Sequence, residues 1–254
     1  MLIELAPAER EPLRPLFRGF PGLRGIVDAS LEGTMGRTWT DDPSRPRMAL
    51  VDLDFNLLAG DPDSPAAEEA FRRLKPPWSA CVSSHTWESL LRRVWGDRPV
   101  TRQRVDFEAG GRDCARLPSF IEALPDGYEL RRITRDDAAR FRQLADSLVY
   151  NFSSLDRFID CGVGFGVERE GRFVSGCSSF AISSRKLEFD IQTHRDFRRR
   201  GLATVAASAM IEYCIDRGLE PCWDAHNPIS AALAGKLGFV NPAPYTAYEY
   251  DVKD

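Results

Sequence analysis

The run Arg198-Arg199-Arg200-Gly201-Leu202-Ala203 stands between an apolar-alternating segment, Leu187 to Thr193, and an amphipathic one. Arg-x-x-Gly-x-Ala at such a junction predicts a glycine loop feeding a helix. The first amides of a helix have no partner within it, point one way and lie at the positive end of the helix dipole. That geometry binds phosphate, and small residues at Gly201 and Ala203 let the backbone come close to a ligand. Three consecutive arginines add permanently charged, bidentate donors for further phosphate oxygens. The chemistry implied is capture of a polyphosphorylated small molecule by main chain. The alternative reading of the arginines is a solvated basic loop.

Titratable groups lie close to this loop in sequence. The segment before it puts Leu187, Phe189 and Ile191 on one face and Glu188, Asp190 and Gln192 on the other. Past the helix, Asp224 and His226 alternate on Pro221 to His226. Carboxylates and a histidine near a bound ligand are the side chains that move protons. Cys177, Cys214 and Cys222 read as small buried hydrophobes instead.

The elements that must hold these residues form a regular series. Tyr128 to Ile133 reads as a strand, and Thr134 with Asp137 as a capping-box-like start to a helix running to about Ser147. Asn151 to Asp160 reads as a short helix. Val163 to Glu168 and Phe173 to Ser183 read as strands joined by a tight hairpin at Glu170-Gly171. The glycine loop then opens a helix with Leu202, Val205, Ala206, Ala209 and Tyr213 along one stripe, closed by Arg217 and Gly218. Pro221 to His226 is a strand, Asn227-Pro228 starts a helix that Gly238 ends, and Tyr245 to Val252 alternates as a last strand. The order β-α-α-β-β-β-α-β-α-β predicts an α/β (α+β mixed sheet) fold. The N-terminal part is less regular: one or two strands in Arg47 to Leu58, helices at Ala66 to Leu74 and Thr86 to Val94, and strands at Trp78 to Ser83 and Arg98 to Phe107. The seam lies between Gly110-Gly111 and Pro125-Asp126-Gly127, which predicts domains at 1–124 and 125–254.

Composition narrows the function classes. The 254 residues suit one large domain or two ordinary ones, and 43% hydrophobic with 28% charged residues is a globular balance. A net charge of −4 argues against a nucleic-acid binder. No apolar window suits a membrane span, and the first 20 residues carry no signal peptide, so the expected location is cytoplasmic. The six cysteines form no C-x-x-C pair and read as reduced thiols; His85, His194 and His226 are far apart, so no metal site is expected.

The C-terminal half resembles the GNAT superfamily of acyl-CoA-dependent N-acetyltransferases. Two motifs carry the likeness: Arg198-x-x-Gly201-x-Ala203 and Asn227-x-x-Ser230-x-x-Leu233-x-x-Lys236-Leu237-Gly238-Phe239. The segments Leu58-Ala59-Gly60-Asp61-Pro62, Thr193-His194, Gly201-Leu202-Ala203-Thr204 and Trp223-Asp224-Ala225-His226-Asn227 further resemble a two-part subfamily that includes zwittermicin-resistance-type acetyltransferases. The resemblance implies a GNAT-like C-terminal domain preceded by a degenerate companion domain. It implies acetyl-CoA as co-substrate, no metal, and a V-shaped opening between Glu188–Thr193 and Pro221–His226. Ile191, Gln192 and Thr193 would meet the pantetheine arm, Arg198, Arg199, Arg200, Gly201, Leu202, Ala203 and Thr204 the pyrophosphate, and Asn227 and Ser230 complete the cofactor site. Asn227 is alternatively a helix cap alone.

Acetyl transfer needs a base for the amine, stabilisation of the thioester oxygen, and departure of the thiolate. Glu188 is the leading base, with Asp190 as its substitute; the alternative is that Glu188 pairs with a cation and only organises the sheet. His226 is a further candidate, or part of the turn before Asn227. Many members of the resembled family carry a tyrosine after the leucine of the second motif as general acid; here that position is Ala234. Ser230, Tyr245 and Tyr248 are substitutes by location, or the thiolate leaves unaided. Glu188, Asp190 and Asp224 would suit a cationic small-molecule amine, among them an amino antibiotic. A protein or peptide acceptor is the runner-up, and a non-catalytic acyl-CoA-binding sensor the alternative outside enzymes. Oligomer formation is left open.

Overall fold

The computed structural model describes residues 1–110 and 116–251. In chain order the elements are β1 (Ile3–Glu4), α1 (Arg24–Leu31), β2 (Arg37–Thr40), β3 (Met48–Leu53), β4 (Phe55–Gly60), α2 (Ala67–Arg73), β5 (Trp78–Val82), α3 (His85–Trp95), β6 (Val100–Glu108), α4 (Leu117–Glu122) and β7 (Glu129–Arg132). There follow α5 (Ala138–Leu144), α6 (Leu155–Cys161), β8 (Gly164–Arg169), β9 (Arg172–Ile182), β10 (Lys186–Thr193), α7 (Leu202–Arg217), β11 (Glu220–Ala225), α8 (Pro228–Lys236) and β12 (Val240–Tyr250). The result is a mixed α/β fold, as the element order implied.

The chain forms two compact units. One comprises Met1–Asp106, Asp224–Asn227 and Pro242–Asp254; the other comprises Phe107–Trp223 and Pro228–Asn241. The seam by contact therefore falls at Asp106/Phe107, not at 124/125, and the chain returns to the first unit twice. Sequence punctuation marks where elements stop, whereas contacts decide which core a strand joins. Gly111, Cys114 and Val252, used in the sequence reading, lie outside the described residues.

In the first unit β1 to β4 form an antiparallel series, β4 pairs in parallel with β5, and β5 pairs antiparallel with β12. The predicted segment 47–58 is two strands turned at Asp54, whose φ of 60° is a left-handed conformation that aspartate tolerates. Its core gathers Trp39, Met48, Leu50, Leu58, Phe71, Trp78 and Trp87. Helix α1 escaped the sequence reading because all but Arg24 of its residues are buried, which leaves no polar stripe to detect.

In the second unit β7, β8, β9 and β10 are antiparallel neighbours and β10 pairs in parallel with β11. The β8–β9 hairpin turns at Glu170 (φ 51°) and Gly171 (φ 76°), the left-handed pair that a tight two-residue loop requires. Phe141 of α5 stacks with Phe158 and meets Phe173 edge-on to fill one side of the sheet. Some bounds shift from the sequence reading. α5 stops at Leu144 because Ala145 is extended, α6 starts only after the Ser154 cap, and β12 begins at Val240 rather than Tyr245. Helix α7 is buried well beyond the expected stripe, at Thr204 through Ile211 and at Cys214, since α4 packs on it as well as the sheet. Cys177, Cys214 and Cys222 are fully buried, and Cys81, Cys161, Cys177, Cys214 and Cys222 are free thiols.

Candidate active site

Strand β10 builds the first wall of the site. Its pairing with β11 runs Lys186↔Glu220, Leu187↔Pro221 and Glu188↔Cys222 and ends there, although β10 continues to Thr193. Main chain from Phe189 onward is thus released from its parallel neighbour. On the other edge β10 stays paired with β9 through Thr193↔Ser175, with a bulge where the register passes from Glu188↔Ala181 to Phe189↔Ser179. The surplus residue is on β9, and bulges of this kind re-aim side chains beside active sites. At the point of release Phe189, Trp223 and Phe239 form one aromatic cluster, with centroids 5.8, 6.4 and 5.2 Å apart. The Trp223 Nε1–H donates to Ser230 Oγ at 3.1 Å, which ties β11 to α8.

Glu188 sits at the apex, in the last pair of the ladder, and is only 2% exposed. Asp190, two residues on, is half-buried, and its Oδ1 accepts from Gln192 Nε2 at 2.9 Å. The Thr193 hydroxyl bonds Ser175 Oγ at 2.8 Å.

The loop that follows carries two left-handed residues, Arg199 (φ 62°) and Gly201 (φ 81°). They turn the chain so that α7 begins at Leu202, and the first helical bond is Val205 N–H to the Gly201 carbonyl at 3.2 Å. The amides of Leu202, Ala203 and Thr204 therefore precede the helical ladder. A Cβ added at Gly201 would meet nothing within 4 Å, so glycine is needed here for its φ, and the space beside it is open. Arg198 Nε donates to the Thr193 carbonyl at 3.2 Å. Arg200 donates to the Tyr128 hydroxyl at 3.1 Å and the Asp196 carbonyl at 3.2 Å. Burial pushes the Tyr128 phenol up, but the guanidiniums of Arg169 and Arg200 outweigh it and hold the phenol below its usual range. An open cradle of amides at the start of a sixteen-residue helix fits the diphosphate of a nucleotide.

These features belong to a known family. The GNAT acetyltransferase family matches residues 14–248. The chain belongs to that family. The uncharacterised N-acetyltransferase YdfB of Bacillus subtilis is 31% identical over 236 residues, which covers 88% of this chain and 87% of the relative. A crystal structure of a GCN5-related N-acetyltransferase-like protein from Streptococcus suis has 30% identity and a TM-score of 0.85, covering 97% of this chain and 100% of that one. A tandem GNAT protein from the clavulanic acid biosynthesis pathway, at 13% identity, shares the fold with a TM-score of 0.59 across 100% of this chain and 99% of that one. The protein is an acetyltransferase of a family that uses acetyl-CoA.

The second unit of this GNAT acetyltransferase contains Glu188, Asp190, Ile191, Gln192, Thr193, the loop Arg198 to Thr204, and Ser230; Asn227 and Tyr245 fall in the first. The expectation that Asp224 faces an acceptor amine needs correction. Its side chain is 3% exposed and is taken by Arg104, through an ion pair, and by the Tyr245 hydroxyl, which donates to it. Burial pushes Asp224 up against the pull of Arg104, and burial likewise drives the Tyr245 phenol well above its usual range. Tyr245 is thus a buried structural donor in the first unit. His226 is exposed, and its ring lies 2.7 Å from the Asn227 amide, in the turn before α8. Ala234, which stands where many members of the resembled family carry a tyrosine, is fully buried.

Sequence reasoning passed over two contacts. Tyr128 anchors Arg200 across 72 positions of sequence, a pairing with no local signal. Lys236, quoted only as a motif letter, reaches Thr204 Oγ1 at 3.3 Å. Among the described residues no group of His, Cys, Asp and Glu is arranged to hold a metal, and no helix is long and apolar enough to cross a membrane.

Proposed function

We propose that this protein transfers the acetyl group of acetyl-CoA to the amine of a small molecule by direct attack on the thioester. The observation that carries the reading is the end of the β10–β11 ladder at Glu188↔Cys222, followed within the same strand by main chain free to pair with a ligand and then by the open amides of α7. In this reading the pantetheine arm runs along Ile191 to Thr193 and the diphosphate lies on the amides of the Arg199–Thr204 loop. Ser230 and Asn227 border the same strand end in sequence.

The amine nitrogen bonds to the acetyl carbon, the carbon–sulfur bond breaks, and the nitrogen's surplus proton passes to Glu188, through water since that carboxylate is nearly enclosed. Asp190 lies next along the strand and supports a cationic acceptor by its charge. No tyrosine stands at Ala234 and the Tyr245 proton is held by Asp224, so the thiolate leaves unaided and takes its proton from solvent, as a pKa near ~8.5 allows. The likeness of the quoted segments to zwittermicin-resistance-type enzymes supports an amino metabolite as acceptor. Release of free CoA thiol from acetyl-CoA, measured against a panel of small amines and amine-bearing peptides, tests this. Amine-dependent release with small acceptors is expected; tight CoA binding with no release above background would overturn it in favour of a non-catalytic acyl-CoA-binding module.

A further inference from the structure

We propose that the first unit holds a second small-molecule site, a cavity bounded by the β3–β4 turn and the segment after α2, which takes a free amino acid as its zwitterion. It is independent of the acetyl-CoA reading. The cavity measures about 370 Å³, inside the range of roughly 300–1,000 Å³ usual for ligand sites. Its walls include Arg37, Asp52, Asn56, Arg73, Lys75 and Trp78, all within Met1–Asp106, so the site is complete in one unit. Its place in the sheet sets it apart from a nucleotide cradle. β4 and β5 run parallel, and Asn56 and Trp78 stand at their N-terminal ends, whereas the Gly60 loop leaves from the C-terminal end of β4.

The register puts Arg37 opposite Asp52 and Asp52 opposite Asn56. Directly paired residues share a face of the sheet, so these three form one polar row. It extends the apolar row Trp39, Leu50 and Leu58, which packs with Phe71 of α2 and Trp87 of α3. Polar side chains on such a face need partners of their own. They are also held in place. The guanidiniums of Arg37 and Arg73 lie on the Trp39 ring, 4.8 and 4.3 Å from its centroid. Asn56 Nδ2 donates to the Ser79 carbonyl at 3.1 Å, which fixes the amide and leaves Oδ1 to accept. Burial pushes the Asp52 carboxyl up against the pull of Arg37 and Arg73.

Trp78 supplies a separate observation. It is 5% exposed, and its indole N–H is buried with no acceptor among the described residues. The indoles of Trp87, Trp95 and Trp223 each have one. A buried donor left unmet is costly, and it marks a place where the partner comes from outside the chain. Charge then decides the occupant. Arg37, Arg73 and Lys75 would repel a polyamine, while Asp52 and Asp54 would repel a phosphate or a dicarboxylate. A molecule of both signs satisfies both sets. Its ammonium goes to Asp52 and Asn56 Oδ1, and its carboxylate to Arg73, Lys75 and the Trp78 N–H.

The test titrates the proteinogenic amino acids one by one into the full chain without acetyl-CoA. The Trp78 indole N–H is followed by NMR, its resonance assigned by its loss in Trp78→Phe. At least one amino acid is expected to shift that resonance. Its methyl ester and its N-acetyl form, each short of one charge, should bind about tenfold more weakly, the scale of a charge-assisted bond. Asp52→Asn and Arg73→Gln should each weaken the amino acid by a similar factor. Arg73 is exposed, so its variant carries the test if Asp52→Asn melts early. A Trp78 resonance that no amino acid moves, equal affinity for the N-acetyl form, or binding indifferent to both variants would overturn the site and leave the acetyl-CoA reading standing.

Discussion

Phe189 and Trp223 meet edge-on, 5.8 Å between ring centroids, one residue beyond the pair at which β10 and β11 part. With Phe239 they fill the sheet face at the divergence, and the Trp223 indole N–H is anchored on Ser230. Trp223→Ala is expected to cost about 3–5 kcal/mol of stability, the range for a buried aromatic, and to weaken CoA binding. Trp223→Phe keeps a ring and loses only the bond to Ser230, at about 1 kcal/mol. Denaturant melts alongside CoA titration check the order; equal CoA affinity in all three proteins would separate the cluster from the cofactor site.

Glu188 is the base in the proposed mechanism, and its 2% exposure makes substitution interpretable, since a neutral isostere leaves packing intact. Glu188→Gln is expected to lower kcat by about 10²-fold, within the usual range for a general base, with CoA affinity held. A variant that turns over at the wild-type rate would return Glu188 to the role of a sheet organiser. Asp190→Asn, beside it, is expected to raise KM for a cationic amine more than it lowers kcat.

Much of this site is legible in the amino-acid sequence because its signals are local. The hairpin at Glu170-Gly171, the glycine that starts α7 and the Gly218 that ends it each follow from backbone conformations few residues adopt, and their φ values of 51°, 76°, 81° and 66° are of that kind. What escaped lacked either periodicity or proximity. Helix α1 is buried on every side and shows no stripe. Strand alternation alone leaves Asp224 free for a substrate, because its partner Arg104 lies 120 positions away in sequence. The apolar stripe on α7 understates its burial because α4 covers its other side, a packing that has no local signal.

Gly201 separates conformation from bulk. Its φ of 81° excludes most side chains, while the absence of any atom within 4 Å of a built Cβ excludes a clash inside the protein. Asparagine tolerates the left-handed region and valine does not. Gly201→Asn is therefore expected to keep more CoA affinity than Gly201→Val, with both folded by circular dichroism. Equal affinity in the two variants would mean that the loop's conformation does not matter to the ligand.

Asp137 sets a pH dependence with a definite sign. Burial pushes its carboxyl up, but the Thr134 hydroxyl at 2.7 Å, the Thr134 N–H at 3.2 Å and Arg140 at 2.7 Å outweigh that and hold it below the usual carboxylate range. A depressed folded-state value contributes stability that is present above the unfolded value, near ~3.9, and is lost as pH falls through the folded one. Asp137→Asn is expected to cost about 1–2 kcal/mol at neutral pH, as weakening hydrogen bonds to a buried charged group does, and the two proteins should draw together only as pH falls below about 4 and through the depressed folded value. Thermal melts across pH that stay parallel into acid would contradict the linkage.

One CoA per chain is the expected stoichiometry, because the first unit repeats the strand–helix–strand arrangement without the features that make it a site. There β4 and β5 pair in parallel from Phe55↔Ser79 through Leu58↔Val82 without parting. The loop after β4 is Gly60-Asp61-Pro62-Asp63-Ser64 and carries carboxylates where the second unit has arginines. Its main chain is already served: Asp61 Oδ1 accepts from the Asp63 N–H at 2.9 Å, Ser64 Oγ accepts from the Ala66 N–H at 3.3 Å, and the Ser64 hydroxyl donates to Asp41 at 2.7 Å. A diphosphate brought there would meet like charge and amides with no bond to give. Calorimetry should fit a single site in wild type and none in a Gly201→Val variant. A residual site of unchanged affinity in that variant would place a second nucleotide on the first unit and refute the argument from its carboxylate-filled loop.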